Sequence, residues 1–383
     1  MKLHLPPGLD LDRFLDEYWQ QRPLLMRGAL RDYDFPLFPE ELAGLACEGE
    51  IESRLVLDHG DNRWELYHGP FDEETFLRLP EENWTLLVQD VDKFLPEVAR
   101  LLEPFRFIPA WRFDDVMISY AAPGGSVGPH IDTYDVFLVQ GTGRRRWQIQ
   151  RHPRSKTLLP DLPVRILAEF EPDEEWVLEE GDVLYLPPGV AHWGVAETPT
   201  MNWSVGLRAP SLQEMLDSFA QFLLERMPEE NHYRDPPMKP VREPGRIPAP
   251  AVTRTFGELD RWLGDEALRQ QWFGAFMTEV KSHLAIEPPD MPVTPETLGK
   301  RLAQGARLRR HPFARFAWSE RKGGGNWLFV SGEARAVTLP GTFLERLCST
   351  PVLAADDLPA KEQEALALLA ELVNLGQLEL EDG

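Results

Sequence analysis

Hydrophobic residues return along this chain at two different intervals, and the change of interval divides it. Over 111–208 apolar and polar residues tend to alternate in short runs, punctuated by PGGSVGP, GTG, PPG and ETP. An interval of two puts alternate side chains on one face of a strand, so this stretch is predicted to be a β-rich barrel. Beyond it the interval lengthens. Leu212, Met215, Leu216, Phe219, Phe222 and Leu223 recur at helical spacing, and Ser211-x-x-Glu214 has the form of a capping box. A helix is predicted over 211–227. A second helical block covers 255–283 and carries Trp262, Trp272, Phe273 and Phe276. So many large apolar groups either pack a small core or form a helical interface between subunits, where aromatic residues are enriched.

The flanking regions read less sharply. Asp10 can cap a helix over 10–21 whose apolar face is Leu11, Phe14, Leu15, Tyr18 and Trp19, with Pro23 as the stop. Residues 50–80 alternate around HGDN and HGP and are predicted to be strands. The run 228–250 is rich in proline and charge, as a linker or extended arm would be. Over 293–383 a helix, strand-like WLFV and RAVTL, and helices at 342–348 and 361–375 give the alternation of a winged helix. The fold class predicted is α+β, with a barrel domain at 1–210, a helical region with its proline-rich linker at 211–290, and a winged-helix-like domain at 291–383.

Composition narrows the partners. The 383 residues are 43% hydrophobic, enough for a sizeable core, and carry a formal net charge of −23. Phosphate backbones are repelled by such a balance, whereas a basic protein suits it. The arginines of 300–322 (Arg301, Arg307, Arg309, Arg310, Arg315 and Arg321) read as a solvated charge run in a region otherwise acidic, and nucleic-acid binding is not expected. Cys47 and Cys348 are the only cysteines and lie far apart, which fits a reducing compartment better than a disulfide framework. No apolar run reaches membrane-spanning length, and the first residues lack the apolar core of a signal peptide. A cytoplasmic location is expected.

The candidate chemistry lies in the alternating region. His130-Ile131-Asp132 stands in GPHIDTYDVF, and His192 closes GDVLYLPPGVAH. On a strand, residues i and i+2 share a face, so His130 and Asp132 can aim at one metal. Alone, H-x-D more often marks a surface strand or turn. The second segment alters that balance: a short strand through Val183 and Tyr185 runs into Pro187-Pro188-Gly189, a tight turn, and His192 follows where a strand end would open onto a barrel mouth. Two histidines and one carboxylate are the ligands of a non-haem Fe(II) facial triad.

These segments, with DDVMISYAAPGGSVGPHIDTYDVFLVQGTGRRRW, MNWSVGLRAP and QQWFGAF, resemble the JmjC-type 2-oxoglutarate oxygenases of the cupin double-stranded β-helix fold. More closely they resemble the bacterial ribosomal oxygenases that hydroxylate an arginine of a large-subunit ribosomal protein, L-sixteen. The resemblance implies Fe(II) as metal, 2-oxoglutarate as cosubstrate, a basic ribosomal protein as substrate, and a homodimer built on the helical region. It also implies a cation for the far carboxylate of 2-oxoglutarate. The strand after Gly141-Thr142-Gly143 puts Arg145, Trp147 and Ile149 on one face and Arg144, Arg146 and Gln148 on the other. An arginine among inward-facing Trp and Ile is unusual unless it holds an anion, and Arg145 falls at the family's position for that base. Tyr120, whose hydroxyl could supplement Arg145, and Asn202 and Ser204 are further cosubstrate candidates. Asp114, Asp115, Tyr134, Asp135 and Gln140 are polar groups that could meet a substrate guanidinium. Still open are a cupin-fold isomerase or hydrolase using another metal, a non-catalytic binding module, and a JmjC lysine demethylase.

Overall fold

The computed structural model describes residues 2–230, 232–235, 240 and 242–382. The chain divides into two units, Met1–Ala209 and Pro210–Gly383, each with its own core. Residues 211–290 and 291–383 thus fall in one unit.

In chain order the strands of the first unit are β1 (Leu24–Met26), β2 (Ser53–Asp58), β3 (Trp64–His68), β4 (Trp84–Val88), β5 (Phe113–Ala121), β6 (His130–Ile131), β7 (Val136–Gln140), β8 (Arg145–Gln150), β9 (Glu174–Leu178), β10 (Val183–Leu186), β11 (Ala191–Ala196) and β12 (Thr200–Leu207). Eight of them form a major sheet in the order β1-β10-β7-β12-β5-β4-β2-β3, and β6-β11-β8-β9 form a minor one. Alternation along the strands serves both faces of the major sheet. Phe137, Val139, Tyr185, Met201, Trp203 and Val205 point outward into a core shared with Phe14, Leu42, Val98, Leu101 and Phe105. Val136, Leu138, Leu184 and Leu186 point inward against Trp147, Ile149 and Leu178 of the minor sheet. Each such buried side chain stabilises the fold by about 1.5–3 kcal/mol. The two facing sheets are the expected double-stranded β-helix.

Local differences from the sequence pattern have local causes. The first helix spans Leu11–Glu17, shorter than 10–21. It stops early because the chain turns through Gln20, at φ 56°, to bring the Gln20 N–H to the Tyr185 hydroxyl at 2.7 Å. Within 50–80, strands end at His68; Glu73–Leu77 is a short helix capped by Asp72, which accepts from the Thr75 N–H at 2.7 Å.

In the second unit the helix Leu212–Leu224 begins with the capping box: Ser211 Oγ accepts from Glu214 N at 3.1 Å, and Glu214 Oε2 accepts from Ser211 N at 2.7 Å. The second block is two helices, Ala249–Leu263 and Glu266–Thr278, because Gly264 closes one and Asp265 caps the next. The linker at 228–250 lies partly outside the described residues. Next come helix Pro295–Ala303, strands β13 (Arg307–Arg310), β14 (Phe316–Glu320), β15 (Asn326–Val330) and β16 (Glu333–Val337), helix Gly341–Ser349, β17 (Val352–Leu353), helix Glu362–Asn374 and β18 (Leu378–Glu381). Leu298, Leu344, Leu369 and Leu372 are fully buried at its centre. The basic residues here are largely engaged at home: Arg301 with Asp382, Arg309 with Glu381, and Arg310 with the carbonyls of Leu347 and Thr350. No helix among the described residues is long and apolar enough to cross a membrane.

Candidate active site

The two motifs meet through backbone pairing. β11 runs antiparallel to β6 with His192 directly opposite His130, and the ring centroids are 4.2 Å apart. Asp132 is one residue past β6. Its carbonyl accepts from the N–H of Gly189, at 2.9 Å, in the proline-glycine turn. Gly189 sits at φ 88°, a conformation that L side chains rarely adopt. The turn therefore fixes Asp132 and the start of β11 together. One Nε2 or carboxylate oxygen from each of His130, Asp132 and His192 lies within 4.8 Å of the others.

The histidine tautomers suit a metal. Nδ1 of His130 is 2.9 Å from the Gly128 carbonyl and Nδ1 of His192 is 3.2 Å from that of Val190. A carbonyl can only accept, so each Nδ1 carries a proton and Nε2 is the nitrogen left to face a metal. Burial, reinforced by the neighbouring His130 ring, pushes His192 down to about 4, so it is neutral at neutral pH. The carboxylate oxygens of Asp132 stand 3.9 Å from Nε2 of His130 and 3.5 Å from Nε2 of His192. A set of two imidazoles and one carboxylate fits a divalent first-row metal.

Deeper between the sheets is Arg145, 3% exposed on β8, with Trp147 and Ile149 on the same buried face. Arg144 and Arg146 are exposed and pair with Glu197. Arg145 has no carboxylate partner among the described residues. It makes two long hydrogen bonds, to Ser119 Oγ and the Gly194 carbonyl, both 3.4 Å, and stacks 5.0 Å from the Trp147 ring. Its Nε is buried with no acceptor. Burial pushes its pKa down to about 10, which leaves it charged at neutral pH. A buried guanidinium without a counter-ion calls for an anionic ligand. Gly194 makes the space: a Cβ there would stand 2.8 Å from Arg145 Nε and 2.7 Å from the Trp147 ring.

The remaining sequence candidates separate. Asn202 and Ser204 lie on the inner face of β12; Asn202 donates to Ser204 Oγ at 3.0 Å, and its own Oδ1 is buried without a partner. Ser119 is the cross-strand neighbour of Asn202. Sequence reasoning missed Ser119, since one serine in an apolar strand carries no signal until the facing sheet is known. Tyr120 does not supplement Arg145. It is the residue after Ser119, so it points to the opposite, outer face, where its ring is 5.3 Å from Trp84. Asp135 is not available to a substrate either. It is fully buried, accepts from the Tyr185 hydroxyl at 2.6 Å and Gln20 Nε2 at 3.1 Å, and pairs with Arg112 at 3.3 Å. The Gln140 amide closes the GTG turn by donating to Thr200 Oγ1 and to main-chain carbonyls. Asp114, Asp115 and Asp132 act on the hydroxyl of Tyr134, whose pKa is raised, first by burial and then by these carboxylates.

Residues 100–215 match the JmjC domain family, whose oxygenases carry two histidines and a carboxylate between facing β-sheets as here, and residues 261–379 match the ROXA-like winged helix. The chain belongs to the JmjC ribosomal oxygenases. It is 38% identical, over 95% of both chains, to the ribosomal protein uL16 3-hydroxylase of Escherichia coli. The crystal structure of E. coli YcfD superposes with a TM-score of 0.90 at 37% identity over the whole of both chains. A structure of that ribosomal oxygenase in complex with cobalt and 2-oxoglutarate matches with a TM-score of 0.87 at 36% identity over 99% of both.

Proposed function

We propose that this chain is a cytoplasmic oxygenase that uses Fe(II) and 2-oxoglutarate to hydroxylate an arginine side chain of ribosomal protein uL16. The observation that carries this is the pairing of a metal-ready triad at the mouth with an anion-seeking arginine in the depth of one barrel. The kinship with a uL16 3-hydroxylase supports the substrate, and a net charge of −23 suits a basic ribosomal protein.

His130, Asp132 and His192 would hold the metal on one face, leaving the other face for cosubstrate and oxygen. Iron with 2-oxoglutarate supplies the oxidation that inserts one oxygen atom into a substrate C–H bond, 2-oxoglutarate leaving as succinate and carbon dioxide. Arg145 would fix the far carboxylate of 2-oxoglutarate, with the Ser119 hydroxyl beside it, and Asn202 and Ser204 would line the same inner wall. Trp147, Ile149 and Leu184 exclude water around it. The substrate guanidinium would dock against Tyr134 at the mouth, while Asp132 is kept for the metal.

Assembly is proposed as a homodimer through the second unit. Leu212, Leu216 and Leu224 are apolar side chains on the open part of their helix, 83%, 65% and 68% exposed. Val252, Phe256, Leu259 and Leu263 form an apolar stripe on Ala249–Leu263, also exposed. Such faces on a soluble protein mark contact surfaces. Trp272 and Phe276 belong elsewhere: Trp272 stacks on Phe276, packs at a tilt against Phe219 and donates to Ser218 Oγ at 3.0 Å inside the unit.

The test is incubation with Fe(II), 2-oxoglutarate and peptides tiling uL16. One arginine should gain a single oxygen by mass spectrometry, and replacing it by alanine should stop the gain. Demethylation of methyl-lysine peptides, or 2-oxoglutarate turnover with every uL16 peptide left unchanged, would overturn the reading.

A further inference from the structure

His130 stands on very little strand. β6 is two residues long, and its ladder to β11 pairs only Ile131 with Ala191 and His130 with His192. Such pairing fixes the backbone and leaves the imidazole free to turn about its own side-chain bonds. The ring is aimed instead by the Gly128 carbonyl, 2.9 Å from Nδ1. The direction of that carbonyl decides where Nε2 points, and the turn 126–128 decides the direction of the carbonyl.

One buried hydroxyl holds that turn. Ser126 is 2% exposed, and its Oγ accepts from the Gly128 N–H at 3.0 Å and from the Trp193 Nε1–H at 2.8 Å. Trp193 follows His192 on β11, and alternation turns it to the other face of that strand. The indole thus ties the strand that carries one histidine to the turn that orients the other. Phe170 packs edge-on against it, with 6.2 Å between centroids. The loop after β8 closes over the same turn. It folds back on itself, the Leu159 N–H donating to the Ile166 carbonyl and the Ala168 N–H to the Thr157 carbonyl, both at 2.9 Å. Its Leu167 N–H donates to the Pro129 carbonyl at 2.8 Å. A Cβ on Gly128, which sits at φ 77°, would stand 2.8 Å from the Ile166 side chain.

We propose that Ser126 and Trp193 are positioning residues for the metal centre: their hydrogen bond holds the Gly128 carbonyl so that His130 Nε2 stays aimed at the same ion as His192 Nε2. This rests on the reading that both histidines are ligands. Neither Ser126 nor Trp193 supplies a ligand atom. A serine hydroxyl has two acceptor lone pairs, and here both are used. Removing it strands two buried donors. The backbone must move to satisfy them, and movement of Gly128 swings its carbonyl away from Nδ1. Partners that orient a metal-ligating histidine through its second nitrogen change metal affinity about 10- to 100-fold when lost. Ser126 and Trp193 act one bond further out, so their effect falls at the lower end. Because the two residues share one bond, breaking it from both sides costs no more than removing the serine hydroxyl alone.

The experiment uses the full-length protein with Mn(II) as the probe, binding being followed by calorimetry well below the melting temperature of every variant. Trp193→Phe keeps a ring against Phe170 and removes only the donor. It should weaken Mn(II) binding about fivefold, and Ser126→Ala about tenfold. The double variant should match Ser126→Ala. The visible spectrum of the Co(II)-loaded protein, which reports ligand geometry, should change in each variant. The KM for 2-oxoglutarate at saturating Fe(II) should move less than about twofold, since Arg145 is untouched. Unchanged Mn(II) affinity in both variants, with only the melting temperature lowered, would reduce the pair to a packing contact and overturn the proposal. Losses that multiply in the double variant would overturn it too. Should Ser126→Ala not fold, Trp193→Phe decides alone: an unaltered affinity and Co(II) spectrum would sink the idea. Normal Mn(II) binding by His130→Ala is a different result, which removes His130 from the ligand set and the brace with it.

Discussion

The N–H of Gly189 donates to the carbonyl of Asp132 at 2.9 Å, and this bond joins the two sequence segments that build the triad. It orients the carboxylate toward a His192 whose Nε2 is 3.5 Å from Asp132 Oδ2. His130→Ala or His192→Ala should leave two ligands and lower turnover at least about 100-fold, beyond what loss of a supporting hydrogen bond costs. Binding of Mn(II) by the variants, followed by calorimetry, should weaken in parallel. Normal metal affinity in either would remove that residue from the ligand set.

Arg145→Ala should raise the KM for 2-oxoglutarate about 10- to 100-fold, since hydrogen bonds to charged groups are worth about 1.5–3 kcal/mol. Ser119→Ala should raise it about 2- to 10-fold. Arg144→Ala and Arg146→Ala, both on the exposed face, should leave it where it was. Steady-state kinetics with varied cosubstrate decide between them, and a larger effect from Arg146 than from Arg145 would reverse the assigned facing of β8.

Asp135→Ala should act on stability and not on substrate affinity. It strands Arg112 and the Tyr185 hydroxyl in the core, and breaking a buried pair costs about 3–5 kcal/mol. Chemical denaturation should show the loss. A full-strength fold with a weakened peptide KM would return Asp135 to the substrate site.

Phe256→Glu should yield monomers with an intact fold, because Phe256 is 58% exposed on its helix. Trp272→Glu should instead lower the melting temperature, because the indole is packed between Phe219 and Phe276. Sedimentation velocity and thermal melts separate the two outcomes. A parent protein that sediments as a monomer at micromolar concentration would exclude the proposed dimer.

Local periodicity carried the barrel and the centre of the site. Alternation alone is enough to put His130 with Asp132 and Arg145 with Trp147, because an interval of two is a property of the strand itself. What it could not carry were contacts made between strands distant in sequence. Ser119 gains meaning only when β8 is seen to face β5. Tyr120, one residue along, was assigned to the wrong face because nothing near it in the sequence says which side of β5 is outward. Asp135 looked like a free acid because Gln20, Arg112 and Tyr185 reach it from three separate segments. The helix Glu73–Leu77 was hidden by its brevity, a single capped turn after two alternating strands.

Gly194 offers a way to read other chains of this architecture. The histidine motif persists in barrels that bind metals for many purposes, and an arginine on a neighbouring strand is easily mistaken for a surface charge. A side chain two places after the last histidine would collide with both the Arg145 guanidinium and the Trp147 ring. The empty place at Gly194 is therefore the imprint of the buried cation on the opposite partner of its strand pair. A related barrel with a bulky residue there has given up this arginine pocket, whatever its metal motif still spells.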